Sequence, residues 1–260
     1  MKRLPTLLFL LMIIVLALGV ISFQTQLVKA NDIVQTLPFS QDWTDIGLIT
    51  VNNDWSNVPG IMGYRGDALT SANDVDPQTV LVPDSPGVIN VNANQTNPNT
   101  YTSGGVTEFH IVNPVVALQG SGTADAPYIL INLSTLGNQD ILVSYLLRDI
   151  DASTDNSAQQ VALHYRVGNT GDFTNVPAAY IADASDGPTL TKETAVSVTL
   201  PASVNDKSLV QLRIMTTNAT GNDEWIGIDN ISVTGTPITV DVPPTVSSTV
   251  PANSATNIAV

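Results

Sequence analysis

The sequence predicts an all-β protein built as an antiparallel β-sandwich, and three observations carry that prediction. Val, Ile, Thr, Asn, Gly and Pro dominate the composition, while the Lys/Glu/Leu-rich periodicity of a helical chain is missing. Short β-branched runs recur between turn clusters, the spacing of a sandwich or barrel. Beyond the first thirty residues no window carries a convincing 3.6-residue apolar period. The 260 residues include no Cys, so an exported form has no disulfides and depends on core burial, aided by a metal if one binds.

Residues 1–30 read as a signal peptide. Lys2 and Arg3 precede an apolar run from Leu7 to about Phe23, and Val28-Lys29-Ala30 supplies the small-residue cleavage pattern. The apolar run is nearly long enough for an uncleaved anchor. The cleavage site and the polar chain that follows favour removal. The expectation is a secreted or cell-surface protein, with no membrane contact after cleavage.

The predicted strands are 33–39, 46–51, 79–82, 106–112, 127–133, 140–150, 159–168, 196–201, 209–216 and 225–233. In "VALHYRV", Val161, Leu163, Tyr165 and Val167 share one face while Ala162, His164 and Arg166 share the other, the pattern of a half-buried strand. "GNTGDFTNVP" reads as its hairpin return. The polar stretches 53–78, 92–105 and 151–158 are expected to be long loops, functional or tied down by a metal. In "WIGIDNISV", Ile226 and Ile228 have one parity and Ile231 and Val233 the other. Burial of both pairs needs either two covered faces or a bulge near Asp229-Asn230.

The formal charge is −14, and removal of residues 1–30 takes away three bases and no acid, giving −17. Such a surface repels nucleic-acid phosphates and suits hard cations, which take carboxylate and carbonyl oxygens. Twenty of the 23 acids are Asp, a turn and cap former.

Catalytic signatures are scarce. His110 and His164 each stand alone on a predicted strand, with no zinc-ligand spacing. Glu108 and His110 share a face and read as surface decoration. No G-x-S-x-G elbow occurs, and "GSGTAD" at 120–125 is a turn. "RDIDASTDN" sets Asp149, Asp151 and Asp155 in calcium-like spacing, yet Thr154 and Gln160 stand where an EF-hand needs Gly and Glu, so a solvated loop is expected. Trp225 reads as an inner-edge core residue.

Two resemblances refine this reading. "PPTVSSTVPANSAT" (Pro243 to Thr256) resembles the opening of bacterial Ig-like domains of the S-layer-associated type, with Ser254 and Asn257 where that family usually has Gly. "DWSNVPGIMGYRGDALT", "ALQGSGTADAPY", "VALHYRVGNTGDFTNVPA" and "GNDEWIGIDNISV" resemble the N-terminal jelly-roll module of large secreted bacterial multidomain proteins, in which endonuclease/exonuclease/phosphatase-type domains follow. The implied organisation is a signal peptide at 1–30, a jelly-roll-like sandwich at 31–235, a linker at 236–243 and the start of a truncated Ig-like domain at 244–260. The implied role is a non-catalytic accessory module whose partners are downstream nuclease or phosphoesterase domains of the same chain. By resemblance to calcium-stabilised jelly rolls, Asp229 is the leading Ca²⁺ ligand, with Asp223 and Asp42 as partners. The alternative is a calcium-dependent carbohydrate-binding module that takes polysaccharide on Trp55, Tyr64 and Trp43. A glycan-active enzyme is a third reading.

Overall fold

The computed structural model of the protein describes residues 31–152, 157–185 and 192–239, together with Thr256. The leader, Asp155 and the Ig-like tail other than Thr256 lie outside the described residues. Among the described residues no helix is long and apolar enough to cross a membrane.

The strands form two sheets packed face to face, as the composition predicts. One sheet runs β1 (Gln35–Thr36), β7 (Tyr128–Ser134), β12 (Val210–Thr216), β9 (Val161–Val167), β10 (Thr174–Asn175), with β3 (Ile61–Tyr64) also paired to β7. The other runs β11 (Glu193–Thr199), β8 (Asn138–Asp149), β13 (Ile226–Pro237), β6 (Val115–Gln119), β5 (Gly105–Phe109), β4 (Asn92–Gln95), with β2 (Phe39–Gln41) also on β13. Pairing is antiparallel except for β1 with β7 and β4 with β5.

The four isoleucine and valine positions of β13 settle the parity conflict. Ile226, Ile228, Ile231 and Val233 are all buried. The register against β8 shifts between Asp229 and Ser232, where Asn230 adopts φ +50°. One extra residue at that point turns the second pair back toward the core, as a bulge does. The same edge of β13 therefore serves β6 at 226–228 and β2 at 231–233.

Several expectations need correction. Residues 46–51 and 79–82 are not strands; Pro77–Thr79 is a 3-10 turn capped by Asp76. The polar stretches hide β3 and β4, and β6 was read as no element at all. β9 is not half-buried: Val161 to His164 are buried on both parities. Its second face lies under the 73–84 and 168–181 segments, joined where Phe173 N donates to Leu81 O at 2.8 Å and Asn175 Nδ2 to Gln78 Oε1 at 3.1 Å.

Arg213 of β12 is fully buried beneath that cover. Its guanidinium lies 4.0 Å from the Phe173 ring centroid and donates to the carbonyls of Val80 and Val82 and to His164 Nδ1. Burial and the adjacent Arg213 charge push His164 down to about 3, so the imidazole stays neutral and can accept that bond.

Trp43 and Trp55, proposed from sequence as sugar platforms, are core residues instead. Their rings meet edge-on at 6.5 Å, and the indole N–H groups donate to Ile228 O and Asn90 O. Gly63 makes room for Trp55: a Cβ there would sit 2.4 Å from the indole. Trp55 is 0% exposed, so Trp55→Ala is expected to cost about 3–5 kcal/mol in urea unfolding, the range for deleting a buried aromatic. A change below 1 kcal/mol would place the ring outside the core.

Candidate functional site

One end of the sandwich, where β8 and β12 stop and β13 starts, carries an open cleft of about 640 Å³. Its wall comes from five segments, among them Asn73 of the β3–β4 connection. The β4–β5 loop gives Pro98, Asn99, Tyr101 and Thr102, the end of β6 and the turn after it give Gln119 to Gly122, the β12–β13 loop gives Asn218 and Asp223, and Asp151 follows β8. Amides, hydroxyls and carboxylates dominate, with Tyr101 as the aromatic member.

Local chemistry fixes each wall. Asn97 caps the 3-10 turn Pro98–Thr100 by accepting from Asn99 N at 3.1 Å. Asn99 Oδ1 in turn accepts from Ala152 N at 2.8 Å. The β12–β13 loop is clamped from outside by the 73–75 segment: Thr217 Oγ1 donates to Val75 O, Thr220 N to Asp74 Oδ1 and Asn218 Nδ2 to Asn73 Oδ1. Gly120 lies against this loop so closely that a Cβ would meet Asn218 Cα and Asp223 Oδ1 at 2.5 Å. Tyr101 is half-buried, with its ring 5.9 Å from Trp225 and 6.1 Å from Phe109. Trp225 donates through Nε1 to Tyr101 O at 3.0 Å, which makes it the inner-edge core residue expected from sequence.

Asp223 is buried in the cleft wall. Its Oδ1 accepts from Ala219 N at 2.8 Å, and Gln119 Nε2 donates to its carbonyl at 2.7 Å. Burial pushes the carboxyl up to about 6, against the downward pull of the Ala219 and Gln159 hydrogen bonds.

Asp149, Asp151 and Glu224, all buried, each place a carboxylate oxygen within 4.8 Å of the others. Asp151 Oδ2 also accepts from Trp225 N at 3.1 Å, and Gln159 Oε1 accepts from Glu224 N at 3.3 Å. Three carboxylates so close in a low-dielectric setting repel one another, and a hard cation with oxygen preference fits the set. The "RDIDAS" segment is therefore not a solvated loop at Asp149 and Asp151. The sequence signal lay in the spacing 149/151, and the third partner, Glu224, comes from the β12–β13 loop 73 residues on.

The sequence-proposed calcium set does not come together. Asp229 Oδ2 accepts from Arg148 Nη1 and Asn113 Nδ2, each at 3.0 Å, and Oδ1 accepts from Asn230 N at 2.7 Å. An arginine already neutralises it. Asp42 is an exposed cap on Thr44, whose hydrogen bonds hold it below the usual carboxylate range. Asp223 alone of the three reaches the cleft. Tyr64 stacks on Tyr128 at 4.9 Å and lies outside the cleft lining.

Glu108 and His110 are more than surface decoration. Glu108 is buried and its Oε2 meets His110 Nε2 at 3.0 Å while accepting from Asn94 N at 3.0 Å. This pair fastens β4 to β5.

No protein-family model matches the sequence, and neither does any curated protein. Among solved structures, the xylan-binding module CBM15 aligns with 74% of this chain and 100% of its own, at TM-score 0.38 and 9% identity. A carbohydrate-binding module specific for non-crystalline cellulose, CBM28, aligns with 50% of this chain and 80% of its own, at 0.36 and 14%. The K3 adhesin domain of Lys-gingipain from Porphyromonas gingivalis aligns with 47% and 75%, at 0.33 and 17%. At these scores the likenesses carry no argument, and what the cleft binds follows from its own residues.

The Asp223 carboxyl makes a testable electrostatic statement. Its folded pKa stands above the unfolded value, so its charging costs stability as pH rises from about 4 through 6 and the cost stays constant above. Asp223→Asn removes that cost. The variant is expected to gain on the order of 2 kcal/mol over the parent at pH 7 and little at pH 3.5, read from chelator-treated urea melts. A gain independent of pH would show that charge is not its origin.

Proposed function

We propose that the β-sandwich is a non-catalytic binding module of an exported protein, and that its end cleft takes a neutral polysaccharide. The observation that carries this is the cleft wall itself: side-chain amides, hydroxyls and two carboxylates around a half-buried tyrosine. Such a lining matches the alternating hydroxyl edges and apolar ring faces of a sugar. The strongly acidic chain disfavours polyanions. Asp223 has a raised pKa, but its carboxylate accepts a hydrogen bond from the backbone of its own loop, which supports a structural role over acid catalysis.

The test is affinity electrophoresis of the purified protein in gels containing xylan, glucan, galactan or mannan. Retardation by at least one is expected, weakened about tenfold or more by Tyr101→Ala, with no new reducing ends released. Migration unaffected by every polysaccharide would overturn the reading, and release of reducing ends would make the cleft an active site.

A second reading concerns the buried carboxylate cluster to which Asp151 of the cleft wall belongs. Asp149, Asp151 and Glu224 would hold a Ca²⁺ that locks β8 to the start of β13, in place of the set expected from sequence. Calcium at a hundred times its Kd adds about 2.7 kcal/mol to stability. Glu224→Gln is expected to abolish the calcium-dependent rise in Tm, and identical melts of the parent in calcium and in chelator would sink the proposal.

The resemblances support a place ahead of downstream domains, nuclease or phosphoesterase among them, which the module would position outside the cell. Reading the coding DNA beyond codon 260 checks this: an open frame through such domains supports it, and a stop codon removes it.

A further inference from the structure

We propose that the polysaccharide is acetylated, and that its acetyl group enters a second pocket beside the cleft. This rests on the carbohydrate reading above. The second pocket, about 350 Å³, shares Pro98 and Asn99 with the main cleft, so the two are separated by one ridge. That ridge is preformed. Pro98 is buried, Asn97 caps the turn, and Asn99 is bound to Ala152 N.

The two sides of the ridge differ in chemistry. The main cleft is polar, whereas the second pocket is walled by Ile111, Val112 and Ile150, with Arg148 among them. Val112 is fully exposed at the rim, and Ile150 is buried behind it. Arg148 is held by Asn113 O and Asp229 through Nη1 and lies 3.8 Å from Glu193 through Nε. Its charge is therefore already balanced, which disfavours a uronate carboxylate and leaves a hydrogen-bonding cation suited to a neutral carbonyl. An acetyl substituent presents a methyl group to the aliphatic wall and a carbonyl oxygen to the guanidinium. A hydroxyl at the same place satisfies neither. A sugar seated in the polar cleft with a substituent crossing Pro98–Asn99 uses both pockets at once.

Acetyl groups reach polysaccharides as esters on oxygen or amides on nitrogen, and two matched pairs of neutral probes separate these sources. Calorimetric titration of the purified protein compares O-acetylated xylan with the same xylan after alkaline deacetylation, and chitohexaose with cellohexaose. The acetylated member of at least one pair is expected to bind about fourfold more tightly, the gain from burying one methyl. The pair that shows it names the linkage. Val112→Asp, a change at an exposed position, is expected to reduce that ratio to one with an unaltered Tm. Equal affinities within both pairs would overturn the acetyl pocket and leave the cleft reading standing. A preference that survives Val112→Asp would overturn the assignment of this pocket. Binding of none of the four would remove the acetyl inference, and the cleft reading falls with it only if the wider polysaccharide gels are also negative.

Discussion

The register shift in β13 at Asp229–Asn230 is the constraint on which the rest of the sheet depends. A twelve-residue strand with strict alternation buries either Ile226 and Ile228 or Ile231 and Val233. With one residue looped out at φ +50°, all four face inward and β13 can bind two different partners along one edge. The kink is held by the Arg148–Asp229 pair, which joins β8 to β13 across it. A buried ion pair contributes little net stability but is costly to break from one side, so it fixes register more than it strengthens the fold. Glu224 and Trp225 then start at a defined height beside Asp149 and Asp151.

A second principle is burial of polar side chains under cover. Arg213, His164, Gln159 and Gln211 lie within the molecule, and each has a hydrogen-bonding partner: Gln159 Nε2 with Thr216 Oγ1, Gln211 Nε2 with Asn132 Oδ1, Arg213 with His164. The long connections fold back over the outer face of the first sheet and supply carbonyls to it. Their length reflects this covering role, and one of them also supplies Asn73 to the cleft.

How much of this the sequence disclosed depended on whether one face or two are covered. Strands buried on both faces, such as β7 and β12, stood out as apolar runs because such burial needs no polar alternation, whereas β8 stood out by its alternation. β3 and β4 were hidden because "IMGY" and "NANQ" are short and lie in polar surroundings, and their pairing is supplied by β7 and β5. Trp55 and Trp43 sat in apparent loops, where an aromatic reads as a surface platform until the packing shows otherwise. The cleft was half legible. Asp223, Asp149 and Asp151 each drew attention by charge, but the grouping of 149 and 151 with Glu224 is a property of β8 lying beside β13. Tyr101 had no local signal at all.

β13 also sets the mechanical layout of the molecule. Its first residue, Ile226, adjoins the cleft floor, and its last, Pro237, pairs with Asn138 at the opposite end. At about 3.3 Å per residue, roughly 36 Å of strand separates the two. Pro237 therefore lies at the pole remote from the cleft, and a load applied there would act far from the cleft. Tension between the cleft and Pro237 would run along β13, parallel to its neighbours. The ladders to β8, β6 and β2 would then be loaded in shear, with many hydrogen bonds resisting together, rather than peeled apart one at a time. The same strand that fixes the sheet's register would thus resist a pull between its two ends.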